Sequence, residues 1–190
     1  MGYFFTSDLH LGDERLNLYA RDLIANTADE IDNLIISNWN SLVKSEDKVF
    51  MLGDICYDAT KLPLLDKLNG RKTLIKGNYD EQISDEEWLK YVDEVVDEKY
   101  IHIDKNLIFL NHHPTNCKAN CFNICGHIHG TWKVQRNMIN VGVDAWHLFP
   151  VSLELIKFQM NCIKNHYDEN VFIGDNINNA VTQLEIKETK

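Results

Sequence analysis

The side chains best suited to bind metal ions recur in this sequence directly after short apolar runs. Glycines stand beside several of them, in Gly53-Asp54, Gly77-Asn78 and Gly126-His127. The candidates comprise two carboxylates, four imidazoles and one amide oxygen: Asp8, His10, Asp54, Asn78, His112, His127 and His129. This set is too large for one tetrahedral zinc and suits two ions that share a carboxylate. Its mixture of imidazoles and carboxylates predicts two divalent metal ions as cofactors, chosen from Mn, Fe, Zn, Ni or Co.

Buried strands are predicted to position these side chains. Apolar runs at residues 3–7, 48–52, 72–76, 107–110 and 124–125 each end shortly before a candidate ligand. In an open α/β sheet, ligands bind outside the carboxyl ends of the strands. Residues that are far apart in the sequence are therefore expected to converge on one edge.

The remaining pattern alternates helices with strands. Capping boxes at residues 27–30 and 84–87 predict helix starts, and the first precedes a long amphipathic run. We predict a strand over residues 95–103 that pairs with residues 107–110, and last core strands at 138–143 and 151–156. This alternation predicts an α/β layered domain.

Length and charge restrict the class of protein. The chain has 190 residues and a formal net charge of −10, which predicts one domain and disfavours a long nucleic acid or an anionic membrane as partner. No apolar stretch is long enough to span a membrane.

Five cysteines, an odd number, predict reduced thiols and a cytoplasmic location. From residue 158 to 190 the composition becomes rich in asparagine, so we predict a peripheral extension beyond a domain of residues 1–157.

Five motifs in order carry a family resemblance. They are D-x-H at residue 8, G-D at 53, G-N-x-D at 77, a histidine at 112, and G-H-x-H at 126. This order resembles the calcineurin-like metallophosphoesterase family, and residues 140–154 resemble its small bacterial and phage branch. The resemblance covers residues 1–157. It implies a four-layer sandwich, in which two mixed β-sheets pack face to face and are flanked by helices.

The resemblance also implies roles for the candidate ligands. One metal would be held by Asp8, His10, Asp54 and His129, with Asp54 bridging to a second metal that is completed by Asn78, His112 and His127. A bridging hydroxide would then attack the phosphorus of a small phosphomonoester or phosphodiester. A bound metal lowers the pKa of water to about 7, which makes hydroxide available at neutral pH.

One motif departs from the family pattern at the expected proton donor. The chain has Gly77-Asn78-Tyr79-Asp80, where the family usually has histidine at the third position. Tyrosine donates a hydrogen bond but is a poor proton shuttle. Either the leaving group needs little help, or His113, Asp80 or a metal-bound water acts as the acid. Asp13 is a second departure, and as a substrate contact it would alter which phosphates are accepted.

Alternative interpretations remain for one histidine, for the cysteines and for the function. His113, next to His112, is either a substrate contact or a loop residue, and the series at residues 117, 121 and 125 fits buried or loop thiols better than a structural zinc site. Some relatives with this fold are non-catalytic binding modules, although they normally show eroded ligands. A nuclease or cyclic-nucleotide phosphodiesterase of the same superfamily is the third possibility.

Overall fold

The computed structural model describes residues 1–166, which form ten strands and four α-helices. The strands are β1 (Tyr3–Thr6), β2 (Lys48–Met51), β3 (Arg71–Ile75), β4 (Glu94–Val96), β5 (Lys99–Ile103), β6 (Asn106–Leu110), β7 (Phe122–Cys125), β8 (Val134–Gln135), β9 (Met138–Asn140) and β10 (Val151–Ser152). The helices are α1 (Glu14–Leu16), α2 (Ala28–Leu42), α3 (Asp85–Trp88) and α4 (Leu153–His166). Within residues 1–166, no helix is long and apolar enough to cross a membrane.

Shorter helical turns connect these elements. A π-helical turn over Asn17–Arg21 follows α1. Single 3₁₀ segments lie at Ala59–Lys67, Asp80–Gln82, Pro114–Asn116 and Val143–Trp146.

Both sheets have five strands and mix parallel with antiparallel pairs. The first has the order β10-β1-β2-β3-β4, in which only β10 runs antiparallel to its neighbour. The second has the order β5-β6-β7-β9-β8, with a parallel centre and antiparallel edges. Helices flank the pair of sheets, so the predicted fold class is confirmed.

The strands of the first sheet are apolar on both faces because both faces are covered. Along β2, Val49 and Met51 pack into the core that also contains Trp39 of α2. Phe50 and the adjacent Leu52 pack between the two sheets. This alternation follows from the two-residue period of a strand, and burial of both faces explains why the runs are continuously apolar.

The capping box at residue 27 starts α2 as predicted. The Thr27 hydroxyl accepts the backbone N–H of Glu30 at 3.2 Å. The Glu30 carboxylate accepts the N–H of Asn26 at 2.8 Å, one residue before the cap itself. These bonds satisfy donors that have no partner inside the helix. Ile31 and Ile35 then place the apolar face of α2 in the core beside the first sheet.

Three predicted strands are wrong in extent. The run at 138–143 is a strand only over Met138–Asn140, and Val143 begins a 3₁₀ segment. The run at 95–103 is divided at Asp97 and Glu98, which are exposed, and its two parts belong to different sheets. The run at 151–156 is a two-residue strand followed by α4, because the Ser152 hydroxyl accepts the N–H of Leu155 at 3.2 Å and caps the helix. Helix α4 continues through residue 157, where the domain boundary was predicted. Residues 167–190 of the predicted extension lie outside the described residues.

Candidate metal centre

Loops after β1, β2, β6 and β7 bring six of the seven predicted ligands together, along with His113. Three groups of side chains each place one nitrogen or oxygen atom per residue within 4.8 Å of one another. The groups are Asp8/His10/His129, Asp8/Asp54/His112 and His112/His113/His127. Because the groups share Asp8 and His112, they form one continuous cluster. The first group contains three of the four ligands that the resemblance implied for one metal. The third contains two of the three implied for the other, with His113 in place of Asn78.

The backbone at this cluster adopts a rare conformation. Within residues 1–166, eight non-glycine residues have positive φ, and five of them are predicted ligands: Asp8 (58°), His10 (47°), Asp54 (55°), His127 (72°) and His129 (49°). Each such residue costs on the order of 1–3 kcal/mol and persists only when its surroundings enforce it. Such strain concentrates at functional sites, and here it coincides with the candidate ligands.

Asp54 lies between the two halves of the cluster. Its Oδ1 accepts the backbone N–H of Tyr79 at 2.9 Å. Its Oδ2 lies 3.7 Å from Nε2 of His10 and 3.3 Å from Nε2 of His112. Burial alone would raise the pKa of Asp54, but the hydrogen bond and charge of His112 lower it below its ordinary value. The carboxylate is therefore ionised at neutral pH, with one oxygen facing both sides.

A backbone carbonyl fixes the orientation of His112. Its Nδ1 lies 2.7 Å from the carbonyl oxygen of Leu52. A carbonyl can only accept, so Nδ1 carries the proton and Nε2 is the nitrogen that faces Asp54. Nδ1 of His127 lies 3.2 Å from the same Nε2. Two nitrogens that each bind one ion at about 2.1 Å are separated by roughly 3.0–3.4 Å, so this spacing fits a shared metal.

His129 is held in a similar way by a residue to which the sequence assigned no role. Its Nδ1 lies 2.6 Å from Oδ2 of Asp144, which leaves Nε2 for a metal. The Arg21 guanidinium donates to both oxygens of Asp144, at 2.8 and 3.1 Å, and to the carbonyls of Leu9 and Asp8. Although burial opposes it, bonds from His129 and Arg21 lower the pKa of Asp144 to about 2. A carboxylate that orients a ligating histidine is common around metals.

No local sequence signal identifies this pair. Arg21 and Asp144 are 123 residues apart, and Arg21 lies in the π-helical turn after α1. Arg21 is only 2% exposed. A wholly buried arginine is rare without a partner, but its burial is visible only in the structure.

The environment of His10 fits a metal ion. Both its ring nitrogens are buried and have no hydrogen-bond partner within the described part of the chain. The nearby carboxylate oxygens of Asp13 and Asp54 are 3.5 and 3.7 Å away. Burial lowers the pKa of His10 to about 4, so its imidazole is neutral at pH 7 and can offer a lone pair. A divalent transition metal would satisfy these atoms together with Asp8 and His129.

Asp13 is a helix cap in the structure. Its side chain accepts the backbone N–H groups of Arg15 and Leu16, at 3.0 and 3.2 Å, and so starts α1. Its other oxygen faces His10. The carboxylate is buried and already occupied. This geometry favours positioning of His10 and α1 over the predicted contact with substrate.

Asp80, a predicted candidate for the proton donor, has no access to a substrate. Its side chain is fully buried and accepts the backbone N–H groups of Asp54, Ile55 and Gly77, at 2.8, 3.0 and 2.8 Å. Burial raises its pKa to about 6. Both oxygens are taken up in joining the loop after β2 to the loop after β3. The geometry therefore favours a positioning role.

The Asp8 carboxylate also accepts a hydrogen bond from the backbone. Each of its oxygens lies 3.0 Å from the N–H of His127, and burial raises its pKa to about 6. Gly126 permits this approach, since a Cβ there would collide with the Ser7 side chain and lie 2.8 Å from Oδ2 of Asp8. The loop after β7 can therefore pack against β1 only with glycine at this position.

The other candidates lie at the mouth of the cluster. An open cleft of about 310 Å³ is lined on its inner side by His10, Asp54, Asn78, Tyr79, His127 and His129. Asn78 is exposed to this cleft. His113 is outside this lining and packs edge-on against His112 and His127, with ring centroids 4.8 and 4.5 Å apart. Of the two adjacent histidines, His112 is the one whose free nitrogen faces Asp54.

The cysteine series does not join the cluster. All five cysteines are unpaired, and none belongs to a group of possible metal ligands within residues 1–166. Cys125 is buried and donates to the carbonyl of Ile139 at 3.6 Å. Burial raises the pKa of its thiol well above the ordinary value. These contacts agree with the prediction of structural thiols.

Relatives in sequence are similar along much of the chain. No family model matches it. An uncharacterised protein of Methanocaldococcus jannaschii is 29% identical over 169 residues, which cover 80% of this chain and 88% of the relative. The gene 66 protein of Mycobacterium phage L5 is 42% identical over 82 residues, which cover 40% of this chain and 39% of that protein.

The two-sheet architecture recurs in a solved structure. A protein of unknown function from Aquifex aeolicus superimposes with a TM-score of 0.68 at 26% identity, over 83% of this chain and 98% of its own. A Pseudomonas putida nuclease follows with a TM-score of 0.47 at 19% identity, over 67% and 61% of the two chains. The E. coli phosphoesterase Yfce has a TM-score of 0.41 at 16% identity, over 75% and 78%. The two-sheet topology and the ordered motifs of the chain itself define its fold.

Proposed function

We propose that this chain, which has the calcineurin-like metallophosphoesterase fold, is a metal-dependent phosphoric ester hydrolase that binds two divalent ions. Its substrate would be a small phosphodiester or phosphomonoester. When bound, the two ions would supply a hydroxide nucleophile at neutral pH and would stabilise charge on the phosphoryl oxygens.

The position of Asp54 carries this proposal. One of its oxygens is within 3.7 Å of His10 and 3.3 Å of His112, and these histidines belong to opposite halves of the cluster. A single carboxylate oxygen shared between two sets of imidazoles is the arrangement that a bridging ligand requires. Hydrogen bonds alone do not explain it, because His10 has no hydrogen-bond partner among residues 1–166.

The protein residues would perform three tasks. The candidate ligands would neutralise and hold the ions, and Asp54 stays ionised because the hydrogen bond and charge of His112 lower its pKa. Arg21 and Asp144 keep His129 in the orientation that frees Nε2, and Asp80 holds the Asp54 loop in place. This preorganisation avoids rearrangement when charge develops on the substrate.

The leaving group would be protonated from beside the metal cluster. Among the three predicted catalytic residues, Asp80 is enclosed by backbone, while His113 and Tyr79 are partly exposed. Burial lowers the pKa of His113, so the protonated form that donates is favoured as the pH falls. We assign the proton transfer to His113 for poor leaving groups and a hydrogen-bonding role to Tyr79.

Replacement of the bridging carboxylate tests the proposal. We expect Asp54→Asn to lower metal-dependent hydrolysis of bis(p-nitrophenyl) phosphate by at least about a thousandfold, because both ions lose a charged ligand. Metal content after dialysis should fall below two ions per chain. The matched control is Asp66→Asn, an exposed aspartate in the 3₁₀ segment Ala59–Lys67.

Three outcomes would count against the proposal. Wild-type activity in Asp54→Asn would refute the bridging role. One bound ion in active wild-type protein would refute the dinuclear centre. A wild-type chain that binds metal but hydrolyses no ester with Mn, Ni, Zn or Mg would favour a non-catalytic binding module.

A further inference from the structure

Arg15 stands at the entrance of the metal cleft and is held there by three neighbours. Its Nη2 donates to the Tyr79 hydroxyl at 3.4 Å, and its Nε to Oδ1 of Asp13 at 3.4 Å. The guanidinium carbon lies 4.8 Å from the centre of the Tyr57 ring, which is within cation–π range. The side chain is nevertheless 56% exposed. An exposed arginine with three such contacts is directed toward the cleft.

Arg15 also has donors to spare. A guanidinium carries five N–H groups in a planar fork that matches phosphate oxygens. Two of its nitrogens have the side-chain partners given above, whereas Nη1 has no hydrogen-bond partner within residues 1–166. Arg15 is the one arginine or lysine among the described residues that line the cleft. In a chain of net charge −10, it is the cation placed to meet an anionic substrate.

The same entrance is rich in apolar and aromatic surface. Leu16, Tyr19 and Tyr79 all line the cleft together with Arg15. Tyr19 is 82% exposed. The Tyr79 ring packs edge-on against His10, with centroids 4.7 Å apart. Aromatic surface therefore extends from the candidate metal ligands to the outer rim.

We propose that Arg15, Tyr19 and Tyr79 form a subsite for a phosphoester that carries an aromatic ring, either a simple aryl group or a nucleobase. Arg15 binds a non-bridging phosphoryl oxygen, and the ring of the substrate packs against Tyr19 and Tyr79. This inference rests on the proposed function, because it names the substrate class of the same site. It assigns Arg15 as a substrate contact and Tyr19 as a residue that determines specificity.

The test uses esters that share one leaving group. Bis(p-nitrophenyl) phosphate and methyl p-nitrophenyl phosphate both release p-nitrophenolate, so they differ in the group that is retained. We expect Arg15→Gln to raise KM about tenfold for both esters with little change in kcat, because each loses the same charged hydrogen bond. Arg71→Gln is the matched control, since Arg71 is exposed at the start of β3 and carries the same charge.

Tyr19→Ala tests whether the ring of the substrate packs against Tyr19. We expect it to lower the ratio of kcat/KM between the diaryl and the methyl ester by about fivefold, because stacking on one aromatic side chain is lost. The control is Tyr100→Ala, an exposed tyrosine of β5 that does not line the cleft. An unchanged KM in Arg15→Gln would overturn the phosphate contact. An unchanged ratio in Tyr19→Ala would overturn the aromatic subsite.

Two further measurements distinguish a nucleoside from an aryl group, and failure of the subsite from failure of the proposed function. A lower KM for thymidine 5′-p-nitrophenyl phosphate than for the diaryl ester would identify a nucleoside as the ring, and the reverse order an aryl group. If the wild-type chain hydrolyses none of these esters, the proposed function fails. Calorimetry with phenyl phosphate then decides the subsite, because about tenfold weaker binding by Arg15→Gln supports it and equal binding refutes it.

Discussion

Asp144→Asn tests how the fold orients a metal ligand. The wild-type carboxylate uses Oδ2 for His129 and both oxygens for Arg21. An asparagine has one acceptor oxygen, so its amide N–H group must face either the Nε–H of Arg21 or His129, and one of these two contacts is lost. If its amide N–H faces His129, the imidazole proton moves to Nε2 and the nitrogen that would bind the metal is blocked. The fold should survive, because Arg21 keeps its bonds to the carbonyls of Leu9 and Asp8.

Two magnitudes follow from this geometry. Substitution of a carboxylate that orients a ligating histidine typically costs 10- to 100-fold in metal affinity, or about 1.4–2.7 kcal/mol. In addition, the pKa of Asp144 is lowered from an ordinary 3.8 to about 2, which corresponds to roughly 2 kcal/mol of stability in the metal-free protein. A carboxylate with a lowered pKa stabilises the fold above its unfolded value, and this stabilisation is lost as pH falls from about 4 to 2.

Calorimetric titration of metal-free protein with Mn²⁺ and Zn²⁺ measures the first magnitude. Urea unfolding in the presence of a chelator measures the second, with wild type and Asp144→Asn compared at pH 6 and near pH 3. The stability difference between the two proteins should be smaller at the lower pH. Asp66→Asn again serves as the control, because Asp66 is exposed outside the cleft.

Equal metal affinities in Asp144→Asn, Asp66→Asn and wild type would contradict the orienting role of Asp144. A stability difference that stays constant between pH 6 and pH 3 would contradict its electrostatic contribution. The first result would show that packing alone orients His129. The second would show that the charge of Asp144 contributes no stability.

Three further substitutions test separate parts of the centre. Gly126→Ala should abolish tight metal binding in a calorimetric titration, because its Cβ would collide with Ser7. The control Gly130→Ala should bind metal normally, since the nearest atom to its Cβ is 3.8 Å away. Equal metal binding by both variants would contradict the close packing at Gly126. Asp80→Asn should lower the free energy of unfolding by about 3 kcal/mol, since three backbone donors lose a charged acceptor. Normal stability together with slow turnover of esters with poor leaving groups would instead identify Asp80 as the proton donor. His113→Ala should slow phenyl esters at least about tenfold more than p-nitrophenyl esters, and an equal effect on both would remove His113 as the proton donor.

Local patterns in the sequence were sufficient for the strands that precede the candidate ligands and for the helix cap. The apolar run before Asp54 is a strand because alternate side chains pack on the two covered faces of one sheet. Thr27 starts α2 because its hydroxyl reaches an N–H three residues later. The ligands predicted after the strands do converge, although their binding of metal stays a prediction. Each of these features depends on residues that are close together in the chain, so spacing and side-chain type encode it.

The tertiary structure decided which distant groups meet. The sequence placed Asp80 among possible acids, but three amides from two loops enclose it. It assigned no role to Arg21 or Asp144, whose contact across 123 residues orients His129. The sequence also left Arg15 without a role, because its position at the cleft depends on Tyr79 from the loop after β3. A single sequence records the chemistry of each side chain, whereas the partner of a buried charge is determined only when the two sheets and their loops pack together.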